Sequence, residues 1–242
     1  MIKIENIETF GWEAATRGMR NPMNSWEKSD TCFGDISCYN CDNHIPGTAH
    51  CSMTKHGGGH RIGLNDHDLM MRLRNAGTDH RKFMRMITVY MDITAPLYWW
   101  KEFDTYKVGT VANSCSTMHK IADREFTLDD FSCEHLSNPS MHSLGTAIKF
   151  LNMYRDIYNN WDTVNDNSKN AFQVHEKKDA WWQMIQLLPS SYNQRRTVML
   201  NYEVLANIYK SRKNHRLDEW QDFCETIKAL PYSELITGKE AD

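Results

Sequence analysis

Nowhere does the 242-residue chain approach the run of about twenty apolar residues that a membrane-spanning helix requires. The opening "MIKIENIETF" is charged and alternating and lacks the apolar centre of a secretory signal, so a cytoplasmic protein without membrane association is expected. An excess of positive charge is also missing. With a net charge of -3, the chain cannot have the coating of a nucleic-acid polymer as its main task, although a local cationic site for a phosphate stays compatible. Neither G-x-G-x-x-G nor a Walker loop is present; the glycines of "HGGGH" (56–60) have no Lys-Ser/Thr after them and no strand pattern before them. A Rossmann or P-loop nucleotide site is therefore not expected. Seven cysteines cannot all pair, and Cys115, Cys133 and Cys224 stand far from any partner, which fits a reducing compartment better than a disulfide framework.

What the chain does have is large side chains: eight Trp, ten Tyr and fourteen Met, the ordinary use of which is packing. Its length fits one domain over 1–242, interrupted by an irregular Cys/His-rich insertion at about 28–62. "IKIENI" alternates as a strand, "GWEAATRGMRN" has helical spacing up to Pro22, and Asn65 or Asp66 is placed to cap a helix carrying Leu69, Met70, Leu73 and Ala76. In "FMRMITVYMDIT" Ile87, Val89, Met91 and Ile93 form one face of a strand, with Arg85 in register at its start; Pro96 then opens the helix "LYWWKEFDTY". The second half reads as helices, with stripes Leu144, Ile148, Leu151, Tyr154 and Ile157, then Phe172, Ala180, Met184 and Leu187, then two more after Pro189. The fold class is α+β, a strand-containing N-terminal half and a helical C-terminal half.

Three groups of residues have the composition of a site. Cys38-x-x-Cys41, with Cys32, Cys51, His44, His50, His56 and His60 around it, has a spacing used by zinc thiolates, but a second CxxC is absent and a loop of free thiols explains it better. Cys115 and His119 are four apart, as a nucleophile and its base would be on one helical face; a small buried polar residue is the plainer use of Cys115. Arg195, Arg196, Arg212, Lys213 and Arg216 read as a solvated face, except that Arg212 falls beside the apolar stripe of its helix, where a guanidinium suits bidentate capture of phosphate or carboxylate.

"LLPSSYNQRRTVMLNYEVLANIYKSRKNHRLDEWQDFCETI" resembles the C-terminal region of the flavin-dependent thymidylate synthases. In that family a Leu-Pro leads to an Asn, a second Asn and an Arg, matched here by Leu188-Pro189, Asn201, Asn207 and Arg212, followed by His215 and Trp220. "EAATRGMR" is similar to an early Ala-Ala-Arg, with Arg17 the match. The family's Gly-His-x-Ser-Pro-Phe-Glu-His falls on "AGTDHRKFMR", where Phe83 agrees, Arg85 replaces the last His and His80 stands nearby. Ala95-Pro96 and a helix precede the RHRxxSxNxxSxR signature, which is eroded. Thr105-Tyr106-Lys107 replaces Arg-His-Arg, Thr110 and Cys115 replace the serines, or, with one residue inserted, Asn113 and Ser116 match the Asn and second Ser.

The resemblance implies a homotetrameric flavoprotein of nucleotide biosynthesis. It would use FAD, NADPH and methylenetetrahydrofolate to transfer a methyl or hydroxymethyl unit to C5 of a pyrimidine nucleotide, dUMP or dCMP. By the same resemblance Ser116 is the catalytic candidate, Arg212, Asn113, Lys107 and Glu102 contact the substrate, and Asn207, Asn201, Arg85 and His215 contact the cofactor. No metal is expected at this site. The eroded signature keeps open a second reading, a catalytically silent nucleotide-binding or interaction protein on the same scaffold, and the cysteines a third, a zinc-stabilised interaction protein.

Overall fold

The computed structural model describes residues 2–31 and 62–238, so the Cys38-x-x-Cys41 stretch with its neighbouring histidines lies outside the described residues. The fold is α+β. Four strands, β1 (Lys3–Phe10), β2 (Thr88–Pro96), β3 (Val111–Ser114) and β4 (Asn193–Asn201), form one sheet in the order β1-β2-β4-β3. The helices are α1 (Trp12–Arg20), α2 (Leu64–Asn75), α3 (Leu97–Phe103), α4 (Thr117–Lys120), α5 (Asn138–Asn159), α6 (Asp166–Ala171), α7 (Lys177–Leu187), α8 (Tyr202–Arg212), α9 (Asp218–Lys228) and α10 (Glu234–Thr237). No helix of the described residues is long and apolar enough to cross a membrane.

β2 follows the expected alternation: Val89, Met91 and Ile93 are buried while Tyr90 between them is exposed. Arg85 does not join that face. The chain closes a 3-10 turn at Arg81–Arg85, with Met86 N–H donating to Phe83 O (3.0 Å), because Phe83 and Met84 both turn into the core before the strand begins. β4 is a strand where only helices were expected; its first residues, "NQRR", show no apolar alternation, and only Val198 and Leu200 do. The stripe expected from Phe172 to Leu187 is also broken. Gln173 has φ 52°, so the chain turns between α6 and α7, and Leu187 is exposed.

The cap of α2 comes from elsewhere than expected. Asn65 and Asp66 both give their backbone N–H to the Asp30 carboxylate (2.9 and 3.1 Å), which frees the Asp66 side chain for the interior. There, fully buried, it accepts from Arg20 Nε (2.6 Å), Ser29 Oγ (2.6 Å), and Thr31 N and Oγ1 (3.1 and 2.5 Å). Burial opposes its ionisation, but these hydrogen bonds and the Arg20 charge hold its carboxyl below the usual carboxylate range.

Contacts divide the chain into two compact units. One comprises chiefly Thr94–Thr105 and Asn113–Arg196; the other comprises the described parts of Ile4–Ile93 and Thr197–Asp242 with Tyr106–Ala112. In the first, α5 packs along α7, and Leu144, Ile148, Leu151 and Met184 share a core with Ile121, Phe126 and Phe131. In the second, α8 buries seven of its eleven residues, packed on α9 and α10, and Trp12 sets its ring 5.1 Å from Tyr202 and 5.3 Å from Tyr232.

Candidate functional site

In the second unit the site is built on α8. Its start is fixed by Asn201, whose Oδ1 accepts the Val204 N–H (3.0 Å), so this cofactor candidate serves as an N-cap. Gly109 comes close against it. A Cβ there would sit 2.8 Å from Asn201 Nδ2, and the residue's φ of 77° is itself a glycine conformation.

Two residues on from Asn201, the nearly buried Glu203 takes two arginines from the 3-10 turn. Arg81 Nε donates to its Oε1 (3.2 Å), Arg85 Nε to its Oε2, and Arg85 Nη2 to Oε1 (3.3 Å). Burial raises the cost of that charge, yet the hydrogen bonds from Arg85 and Arg81 outweigh it and keep the Glu203 carboxyl below its ordinary range. Arg81 also donates from Nη2 to Asn207 Oδ1 (3.2 Å), one helical turn beyond Glu203. With its oxygen so held, the amide N–H₂ of Asn207 is the donor end of that side chain.

Asn207 lines a cavity of about 440 Å³ together with Arg74, Arg81, Lys210, Lys213 and Tyr209. Four of its lining residues are cations and none is acidic. Arg74 is held by the end of α10: its Nε and Nη2 donate to Leu235 O and Ile236 O, each at 3.2 Å. Burial, and after it the nearby Arg81 charge, lowers the Arg74 pKa.

Arg212, at the end of α8, is held between aromatic rings. Its Nε donates to the Tyr106 hydroxyl (2.9 Å), and its guanidinium carbon lies 4.8 Å from the centre of the fully buried Trp220 ring. His215 approaches the same indole, ring centres 6.2 Å apart, and its Nδ1 accepts the Leu217 N–H (3.2 Å). Trp220 thus gathers Arg212, Tyr106 and His215. Lys107 follows Tyr106 in an exposed turn.

The remaining candidates belong to the first unit. Asn113 is on β3, exposed, and Ser116 is the N-cap of α4, its Oγ accepting the His119 N–H (3.2 Å). Cys115, between them, is an exposed free thiol whose N–H donates to Arg195 O (3.0 Å). Glu102 is half-buried on α3. Arg196 is tied up structurally, donating to Asp104 Oδ1 (2.7 Å) and Gln194 Oε1 (3.0 Å) over the Trp100 ring. Among the described residues no group of His, Cys, Asp and Glu is arranged to hold a metal ion.

Sequence reading passed over Glu203, Arg81, Arg74 and Lys210. Lys210 and Asn207 lie three apart and Glu203 four before Asn207, so all three share one helical side. That spacing was the available signal; the arrival of Arg81 and Arg74 from distant segments left none.

No protein-family model matches this chain, and no curated protein does. Among solved structures, that of thymidylate synthase X (ThyX) from Helicobacter pylori with FAD and dUMP superposes with a TM-score of 0.58 at 14% identity, covering 98% of this chain and 97% of that one. A second structure of the Helicobacter pylori flavin-dependent enzyme, also with FAD and dUMP, gives 0.58 at 15% identity over 96% and 98%. The chain described here therefore has the fold of the flavin-dependent thymidylate synthases.

Proposed function

We propose that this protein is a flavin-dependent transferase that places a one-carbon unit, as methyl or hydroxymethyl, on C5 of a pyrimidine nucleotide, dUMP or dCMP. The observation that carries this is the acid-free cavity beside Asn207, ringed by Arg74, Arg81, Lys210 and Lys213. Such a donor set fits the diphosphate of FAD, since each phosphate needs charge-assisted donors and no carboxylate lines the cavity, Glu203 engaging only Arg81 of the four. The Helicobacter pylori enzymes with the same fold are bound to FAD and dUMP, which supports the same pair of ligands here.

When bound, FAD would supply the hydride, drawn from NADPH, that turns the one-carbon unit of methylenetetrahydrofolate into methyl; a hydroxymethyl product would take water in its place and no hydride. Arg74, Arg81, Lys210 and Lys213 would hold its phosphates, with the amide of Asn207 as a further donor and Asn201, Arg85 and His215 as flanking contacts. Arg212, set beside Trp220, would hold the nucleotide phosphate. By the same resemblance Lys107 is a further substrate contact, and in the other unit Glu102 and Asn113 are given substrate contacts and Ser116 the catalytic role. A homotetramer in the cytoplasm belongs to the same reading.

Replacing the C5 hydrogen releases it to water. Protein supplied with FAD, NADPH and methylenetetrahydrofolate should therefore release tritium from dUMP or dCMP labelled at C5, and Arg212→Ala should abolish saturation at the same nucleotide concentration. The silent binding reading is favoured by one observation: Tyr106, at the place of the signature's histidine, is bonded to Arg212, and no arginine flanks it. Tight binding of dUMP without tritium release from either nucleotide would decide for that reading.

A further inference from the structure

The first unit has a cavity that the proposed reaction does not use. About 530 Å³ in volume, it is bordered by Met118, His119, Tyr158, Lys177, Lys178 and Trp181. It shares no lining residue with the cationic cavity on α8. The volume lies within the range of small-molecule sites.

Its walls combine a fixed ring with charge. Trp181 Nε1–H donates to Met118 O (3.0 Å), which locks the indole plane at the edge of the cavity. Lys177 reaches over the Tyr158 ring, its Nζ 4.8 Å from the ring centre, so this long side chain is steered and not free to sweep solvent. Lys178 and His119 add two further groups able to carry positive charge. The single acid in the lining, Asp123, is bridged to Lys120 at 2.9 Å, and it subtracts little from that field. The first-turn amides of α7 are not the source of attraction, because the Glu176 and Asp179 side chains form a capping box there.

We propose that this cavity is a second binding site, for a small planar aromatic molecule bearing a phosphate or carboxylate. The ring packs on Trp181, and the anionic group meets Lys177 and Lys178, with His119 closing the polar side. This assignment stands independently of the C5 transfer reading, since it uses none of the residues given to that reaction.

Isothermal titration of the full chain with UMP and, separately, with 4-hydroxybenzoate distinguishes a nucleotide from an aromatic acid as the source of the shared chemistry. For at least one probe, the K177A/K178A chain should bind one molecule fewer per chain than wild type, while Arg212→Ala retains that site. Uridine, which lacks the anion, should bind there at least about tenfold more weakly than UMP. Both lysines are exposed, so unchanged circular dichroism is expected, and Lys178→Glu provides a second variant that should abolish the site. Equal stoichiometry and affinity in wild type, K177A/K178A and Lys178→Glu for both probes, or no binding of either probe to wild type, overturns the proposal.

Discussion

Glu203 holds Arg81 and Arg85 on one carboxylate, and Arg81 in turn lines the cationic cavity on α8. Glu203→Gln keeps the shape but removes the charge. It should destabilise the fold by about 1–3 kcal/mol in denaturant titration, toward the lower end because Arg85 is half exposed to solvent. The pH dependence follows from the sign of the shift. Glu203 has a carboxyl pKa below its ordinary 4.5, so its contribution is complete above that value and is lost as the pH falls through the folded-state pKa. The difference between wild type and Glu203→Gln should be full at pH 7 and shrink toward zero in acid. A difference that grew on acidification would contradict the assignment.

Arg212 makes a different prediction. Its fixed guanidinium offers a charge-assisted pair to a phosphate, and Arg212→Ala should weaken dUMP binding by about 2–3 kcal/mol, roughly 30- to 150-fold in Kd. Unchanged affinity by calorimetry would remove Arg212 from the substrate site.

Among the elements, the joint between α1, α2 and residues 29–31 rests on Asp66. Arg20 is 4% exposed and Asp66 0%, so Asp66→Asn would leave a buried guanidinium without its counter-charge. A loss of about 3–5 kcal/mol in unfolding free energy is expected, against less than about 1 kcal/mol for the exposed Arg17–Glu13 pair of α1. Similar losses from Asp66→Asn and Glu13→Gln would show that the buried pair does not anchor these elements.

The same joint shows what the sequence could and could not convey. The alternation in β2 and the stripe Leu144, Ile148, Leu151 on α5 were legible because burial there follows the period of the element itself. The cap of α2 was not, because Asp30 comes from 35 positions away and displaces the local Asp66. β4 was hidden by "NQRR", where Asn193 accepts from Ser132, Gln194 donates to Cys115 O and Thr117 Oγ1, and Arg196 is spent on Asp104, Gln194 and the Trp100 ring instead of on an apolar face. At the site, the order Asn201, Asn207, Arg212 could be read directly, whereas Tyr106 and Trp220 beside Arg212, and Arg81 beside Asn207, are products of tertiary folding.

For the whole molecule, the α+β fold with its β1-β2-β4-β3 sheet is that of enzymes bound to FAD and dUMP, while the signature loop carries Thr105, Tyr106 and Lys107 in place of Arg-His-Arg. On this account the lost arginines are compensated by Arg74, Arg81, Lys210 and Lys213 around the cavity on α8. The proposed flavin binding depends on that compensation. Its most direct test is a titration of flavin-free protein with FAD, followed by the change in flavin absorbance and fluorescence. Saturable binding is predicted for wild type, weakened at least about tenfold in the K210A/K213A chain, whose two substitutions lie on exposed positions of the cavity wall. Absence of FAD binding, or equal binding by wild type and K210A/K213A, would contradict the account.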